Sequence, residues 1–303
     1  MTRRTLVTLL AATALVAGSA CGFGGQDREP DGGGAGVGPG LPSVASAPQL
    51  VRDSKHHYRV VNLHQYNGQP GGALDIYPAT QSDLTRLGSG VAPVASGLAY
   101  GQASDPLQPG GVVYGPGEPS AYGLGVLPHA PTEVGSANLT HDIATYSPPW
   151  PWQRAIVVLG GTGNGLNSQT FYDSTGPDEP NAVPAAQPGK ISLMIDSRHA
   201  GDPNGPNPVT GFWLAGTGAG CLTTGQTVPA VNVLGAVFVV VDPATTAVGF
   251  WHTTSPNHSV SSCTGPPAFT VGLPALAAGS RAALLVYGLD ADHLAGVVVP
   301  FDA

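Results

Sequence analysis

The chain has 303 residues, 44 of them Gly and 30 Pro, and only 10% are charged. That load of helix breakers excludes bundles and coiled coils, while 42% hydrophobic residues is too high for wholesale disorder. A net charge of −8 with scattered basic residues repels phosphate backbones and excludes nucleic acid as a partner.

The N-terminus begins with the basic Met1-Thr2-Arg3-Arg4, followed by an apolar stretch from Leu6 to Ala17. That stretch is too short to span a bilayer as a stable helix. Gly18-Ser19-Ala20 then precede Cys21. The pattern resembles the bacterial lipoprotein signal, in which a diacylglyceryl group is transferred to the thiol before cleavage ahead of the Cys. The resemblance implies a signal peptide over residues 1–20, lipidation of Cys21 and an extracytoplasmic protein held on the membrane. Position 18 is Gly where the family usually has Leu, and the alternative is ordinary cleavage and secretion. Residues 22–49 contain nine Gly and four Pro, the composition of a tether running from Cys21 to residue 49, with an r.m.s. span of about 30 Å.

From Tyr58 the chain reads as short β-branched and aromatic runs bounded by turn residues, the signature of strands. The first series is Tyr58–Leu63, Leu74–Tyr77, Gly111–Tyr114, Ala121–Leu127 and Ala155–Leu159. The second is Ile191–Ile195, Gly211–Leu214, Val231–Leu234, Ala236–Val241, Ala247–His252, Ala282–Tyr287 and Gly296–Val299. No stretch of ten or more residues after the signal combines helical periodicity with freedom from breakers. The nearest, Pro274 to Tyr287, is interrupted by Gly279. The expected fold is all-β.

The two series look like one pattern used twice. Trp152-Gln-Arg-Ala-Ile-Val-Val-Leu159 matches Gly279-Ser-Arg-Ala-Ala-Leu-Leu-Val286, with Arg-Ala shared. The predicted architecture is two consecutive Ig-like or Greek-key β-sandwich domains, residues 50–188 and 189–303, meeting near Pro184–Lys190. In the second, Cys221 and Cys263 are 42 residues apart and have each other as the remaining partner. A bridge between them fits an oxidising exterior, the alternative being two free buried thiols.

Arg59-Val-Val-Asn-Leu-His64, Leu74-Asp-Ile-Tyr77 and Val94-Ala-Ser-Gly-Leu-Ala-Tyr-Gly-Gln-Ala-Ser-Asp105 resemble the bacterial domain of unknown function 4397 family. Its members read approximately R-V-V-H-x-S-P-D-A-P, V-D-V-Y and L-x-Y-G-x-x-S-D-Y. The resemblance covers residues 56–165; the second half keeps only the strand skeleton as a diverged repeat. It implies a small β-sandwich, often repeated in exported or surface-attached proteins, and transfers no catalytic residue.

Motifs that carry chemistry are sparse. Ile156-Val-Val-Leu-Gly-Gly-Thr-Gly-Asn-Gly165 imitates the strand and Gly-loop of a dinucleotide fold, but no helix pattern follows to hold a pyrophosphate. His56 and His57 are adjacent and point to opposite faces of a strand, so they cannot share an ion. Asp202–Asn207 and Asp290–His293 lack the alternating oxygens of a calcium loop and read as turns. No G-x-S-x-G elbow occurs. No catalytic residue, metal ligand or cofactor is assigned. Aromatic residues are the better binding clue: Tyr146, Trp150 and Trp152, spaced by prolines, are candidate ligand contacts. Phe212-Trp213 and Phe250-Trp251 can each present one ring outward.

These readings point to a non-catalytic, envelope-anchored binding or structural module whose partner is cell-wall polymer or an envelope protein. The alternative is an extracytoplasmic hydrolase or metal-dependent enzyme with its site at the domain interface. For the anchor, Cys21→Ala is expected to move the protein from the detergent to the aqueous phase on phase partitioning; unchanged partitioning excludes lipidation.

Overall fold

The β-rich runs between turn residues fold as strands in a computed structural model. It describes residues 47–130, 141–146, 152–161, 165–173, 182–200, 212–218, 220–222, 228–229, 236–253, 263–290 and 292–302. Cys21, Trp150, Val231–Leu234 and Asp202–Asn207 lie outside them.

In the first half the strands are β1 (Gln49–Arg52), β2 (His57–Asn62), β3 (Gln65–Tyr66), β4 (Gln69–Pro70), β5 (Leu74–Tyr77), β6 (Ala95–Leu98), β7 (Gly110–Val113), β8 (Tyr122–Pro128), β9 (His141–Tyr146), β10 (Arg154–Gly160) and β11 (Asn167–Tyr172). A seven-residue helix, α1 (Gln81–Leu87), follows Thr80, whose hydroxyl accepts from the Asp83 N–H. The Thr80-x-x-Asp83 spacing is a capping signature, legible at a length below any amphipathic period. The second half contains β12 (Ile191–Ala200), β13 (Phe212–Thr217), β14 (Gly220–Cys221), β15 (Val228–Pro229), β16 (Val237–Val241), β17 (Ala247–Thr253), β18 (Phe269–Gly272), β19 (Arg281–Gly288) and β20 (Leu294–Pro300). Among the described residues no helix is long and apolar enough to cross a membrane.

Among the described residues, strands up to β11 pair only with one another, and so do those from β12 onward. The first half packs the sheet β1-β7-β8-β5-β6, with β9 on β8, against β11-β10-β2. Tyr58, Val60, Leu74, Leu124, Ile143 and Val157 lie between these sheets. The second half packs β16-β12-β19-β20 against β14-β13-β17-β18, with Leu193, Val239, Phe250, Val271 and Leu284 inside. Both halves are all-β sandwiches and they repeat one device. The first strand runs parallel to a late one, β2 to β10 and β12 to β19, and that late strand turns back into an antiparallel partner, β11 or β20. The shared Arg-Ala sits in equivalent register: Arg154 and Ala155 lie opposite His57 and Tyr58, Arg281 and Ala282 opposite Ser192 and Leu193.

A third core joins the halves. Val61, Leu63, Ile156 and Val158 from β2, its exit and β10 pack on Met194, Ala283, Leu285 and Val299 from β12, β19 and β20. Because side chains alternate along a strand, the inner sheets are buried on two faces. This accounts for the unbroken apolar runs at 155–159 and 282–286. The order through the molecule is outer sheet, core, inner sheet, seam, inner sheet, core, outer sheet.

Polar groups pin the seam at its margins. The Gln65 Nε2 donates to the Tyr100 hydroxyl at 2.9 Å and to the Gly288 carbonyl at 2.8 Å, and Tyr100 meets Tyr287 edge-on at 5.3 Å. At the opposite margin the repeat is cross-linked. The Asp173 carboxylate, just after β11, accepts from the Arg154 N–H at 2.9 Å, and Asp302, just after β20, accepts from the Arg281 N–H at 3.0 Å. The side chains then exchange halves: the Arg154 guanidinium pairs with Asp302, and that of Arg281 donates to the Asp173 carbonyl at 2.7 Å.

Gly101 and Gly88 both occupy the left-handed region, with φ of 79° and 80°. A Cβ on Gly101 would run into the Tyr287 ring, whereas one on Gly88 meets nothing within 4 Å. Gly88→Ala is therefore expected to cost about 1 kcal/mol from backbone strain alone, and Gly101→Ala roughly 1–3 kcal/mol more, measured by denaturant unfolding. Equal losses would mean that the tyrosine does not hold the seam.

Candidate functional site

Tyr146 and Trp152 are brought together, but in the core of the first half, where they are 4% and 3% exposed. The Trp152 ring meets Tyr58 at 5.2 Å, Tyr146 at 5.3 Å and Tyr172 at 6.1 Å. The Tyr146 hydroxyl donates to Asp53, which also accepts from the Lys55 N–H at 2.8 Å and lies 2.7 Å from His56 Nδ1. Burial acts to raise the Asp53 pKa, but these donors outweigh it and hold the carboxyl below its ordinary range. The rings fill a core and fix the end of β1. Cys221 on β14 is joined to Cys263, which precedes β18, across 5.3 Å between Cα atoms.

The phenylalanine and tryptophan of Phe250-Trp251 part to opposite faces of β17. Phe250 is fully buried and stacks on Phe269 at 4.6 Å, while Trp251 lies half-buried on the outer face. Gly216 and Gly249 face one another in the ladder beneath it, and a Cβ on either would strike the indole at 2.8–2.9 Å. Strand-interior glycines weaken a sheet; here they make room for the ring, whose Nε1 donates to the Gly265 carbonyl at 3.2 Å. The side chains of Phe212 and Trp213 lie outside the described residues.

A Ser, a His and an Asp do meet on the surface of the first half. Asp75 Oδ1 accepts from the Ser96 hydroxyl and the Gly97 N–H, each at 2.8 Å, and lies 2.9 Å from His129 Nδ1. A carboxylate only accepts, so Nδ1 carries the hydrogen. Ser96 Oγ is 3.4 Å from that same nitrogen. Nucleophilic relay needs the hydroxyl on Nε2 and the acid on Nδ1. Here both oxygens sit at Nδ1 and the serine proton points at the carboxylate, so no base activates Ser96. Asp75 belongs to Leu-Asp-Ile-Tyr and Gly97 to the Val94–Asp105 segment, so the two motifs bond to each other. Ser104 of that segment likewise accepts from the Val60 N–H at 2.9 Å, closing the outer edge of β2. The Gly-loop after β10 leads into antiparallel β11. Asp290 accepts from the Asp292 N–H at 2.9 Å, as a turn residue does. Among the described residues no three His, Cys, Asp or Glu are placed to hold a metal ion.

The groove with distinctive chemistry lies at the Arg154–Asp302 margin of the seam. A cleft of about 330 Å³ is lined by His57, Arg59, Arg154 and Ala155 from the first half and by Pro300 and Phe301 from the second. A shallower hollow of about 560 Å³ continues from it past Arg52, Pro93 and Gln108, sharing His57 and Pro106. Alternation along β2 sends Tyr58 into the core and His57 and Arg59 toward the seam. Among the described residues three Arg and one His line this surface, with Asp302 paired to Arg154 at its rim. The Arg59 guanidinium donates to the Ser104 carbonyl at 3.2 Å. Burial lowers its pKa while Asp105 acts to raise it; an arginine stays charged regardless. Sequence reading missed the cleft because its basic residues span positions 52 to 154 and only the fold gathers them; the alternation of His57 and Arg59 was the available signal.

Neither a family model nor a curated protein matches the chain.

Burial acts to raise the Asp75 pKa, and the Gly97, Ser96 and His129 donors reverse this and lower it. A depressed folded pKa gives stability that is present above the unfolded value, near 3.9, and lost as pH falls through the folded value. Asp75→Asn is expected to cost about 1 kcal/mol at pH 7. The gap in unfolding free energy should begin to narrow at about pH 4 and close only as pH falls below the depressed folded value. A gap that persists in acid would rule out the carboxylate as its source.

Proposed function

We propose that this protein is a non-catalytic binding module displayed on the outside of the cell envelope, held by lipid on Cys21 and the Gly/Pro-rich tether, and a member of the domain of unknown function 4397 family. The cleft at the seam margin is its ligand-facing surface, and the ligand is a cell-wall polymer bearing acidic groups. The observation that carries this reading is the lining itself: Arg52, His57, Arg59 and Arg154 face one groove in a protein of net charge −8. Asp302 offsets Arg154 and Asp105 acts on Arg59, leaving Arg52 and His57 as the groove's less compensated groups; carboxylates farther away weigh little, because charges more than about 8 Å apart are screened at physiological salt. Guanidinium forks match carboxylate and phosphate oxygens. Asp302 holds Arg154 and the Ser104 carbonyl holds Arg59, so little side-chain freedom remains to be lost on binding. The Cys221–Cys263 bridge suits an oxidising compartment.

The full-length protein is expected to co-sediment with insoluble cell-wall polymer, with affinity falling as salt rises. The Arg52→Glu, His57→Glu double variant should weaken binding by roughly tenfold; neither residue supports the core. Retention that ignores salt and these substitutions would place the ligand elsewhere.

A further inference from the structure

Strand β16 is the edge of its sheet. Among the described residues its one strand partner is β12, with Val237–Val241 set against Ile191–Ile195. Among the described residues, the backbone of Val237–Val241 makes no hydrogen bond beyond that ladder. Every second residue therefore directs its N–H and C=O away from the sheet. The sequence is Val-Phe-Val-Val-Val, with Val237, Val239 and Val241 buried and Phe238 and Val240 each 40% exposed. Apart from Tyr114, these two are the large hydrophobics that the described surface exposes. Edge strands are normally blunted by lysine, proline, a bulge or an inward charge. β16 contains none of these, and its ladder to β12 runs without a register shift.

We infer that β16 pairs antiparallel with β16 of a second copy of this chain, making one continuous eight-stranded sheet from two four-stranded ones. The occupant follows from the strand's own symmetry. A two-fold axis through Val239 sets Val237 opposite Val241 and Phe238 opposite Val240. Paired residues then share parity, so their outward N–H and C=O groups meet and their side chains lie on the same face. The exposed ring of each copy covers the exposed valine of the other, an aromatic and β-branched cross-strand pair, twice by symmetry. The flanking charge does not oppose this. Asp242 falls opposite Ala236 of the partner's strand rather than Asp242, and it is already paired with Lys190 of its own chain. A single added strand pair buries less than a standard interface, so the dimer is weak in dilute solution. Holding copies on one surface would raise their effective concentration.

Sedimentation of the full chain carrying Cys21→Ala, which removes any contribution from lipid, tests this. The weight-average mass should rise from one copy toward two over the micromolar range. Phe238→Lys with Val240→Lys places like charges at both cross-strand pairs and should raise the dimer dissociation constant at least about tenfold. Phe238→Glu with Val240→Lys sets opposite charges across the same pairs and should recover association. These side chains point into solvent, and unchanged circular dichroism confirms folding of each variant. A mass of one copy at every concentration would overturn the inference, and so would a dimer that survives the double lysine change, since it would have formed elsewhere. Wall binding is read by co-sedimentation and does not depend on either result.

Discussion

Burying two faces of the same strands is the constraint from which the rest of the molecule follows. Once β2, β10, β12 and β19 are covered on both sides, none of their central positions can hold an unpaired polar group without a penalty of roughly 1–3 kcal/mol. Valine, isoleucine, leucine, alanine and Met194 occupy most of them, Asp196 and Ser197 of β12 being buried polar exceptions, and the groups that bond across the seam lie at its margins. Gln65 and Tyr100 mark one margin; Arg154, Arg281 and Asp302 mark the other. The basic groove lies at that second margin, where the dry layer stops.

The exchange of side chains between Arg154–Asp302 and Arg281–Asp173 gives the repeat an energetic meaning. Each aspartate finishes a hairpin in its own half by accepting a backbone N–H, and each arginine reaches across to the other half. An ion pair at the surface is a small contribution. Its value here is geometric, since it ties the start of β10 to the chain just after β20 at the mouth of the groove.

Strand runs such as Leu74–Tyr77 and Ala155–Leu159 were legible because β-branched residues between turn formers have few other folded fates. Polar strands were not: Gln49 fell at the end of the tether and neither Leu50–Arg52 nor Asn167–Tyr172 stood out as a strand, since their pairing is decided by β7 and β10 rather than by their own side chains. The Asn67-Gly68 turn, with φ of 50° and 69°, carried a hairpin signal in its dipeptide. An apolar run looks the same whether its second face meets its own sandwich or another, so the seam could not be read from Ile156 or Ala283. Tyr146 and Trp152 illustrate the converse: proline spacing suggested display, while contacts from β1 and β2 put the rings in the core.

Asp53 has a mechanical meaning as well. A pull on the chain at Gln49 loads β1, whose one strand partner among the described residues is β7. Such a strand can peel one rung at a time. The peeling front then meets a carboxylate gripped by Tyr146, Lys55 and His56 beneath the stacked rings, and beyond that point β2 would have to be drawn from between two dry layers at once. Resistance to such a pull would therefore rise where β1 ends, at a carboxylate rather than at a hydrophobic contact.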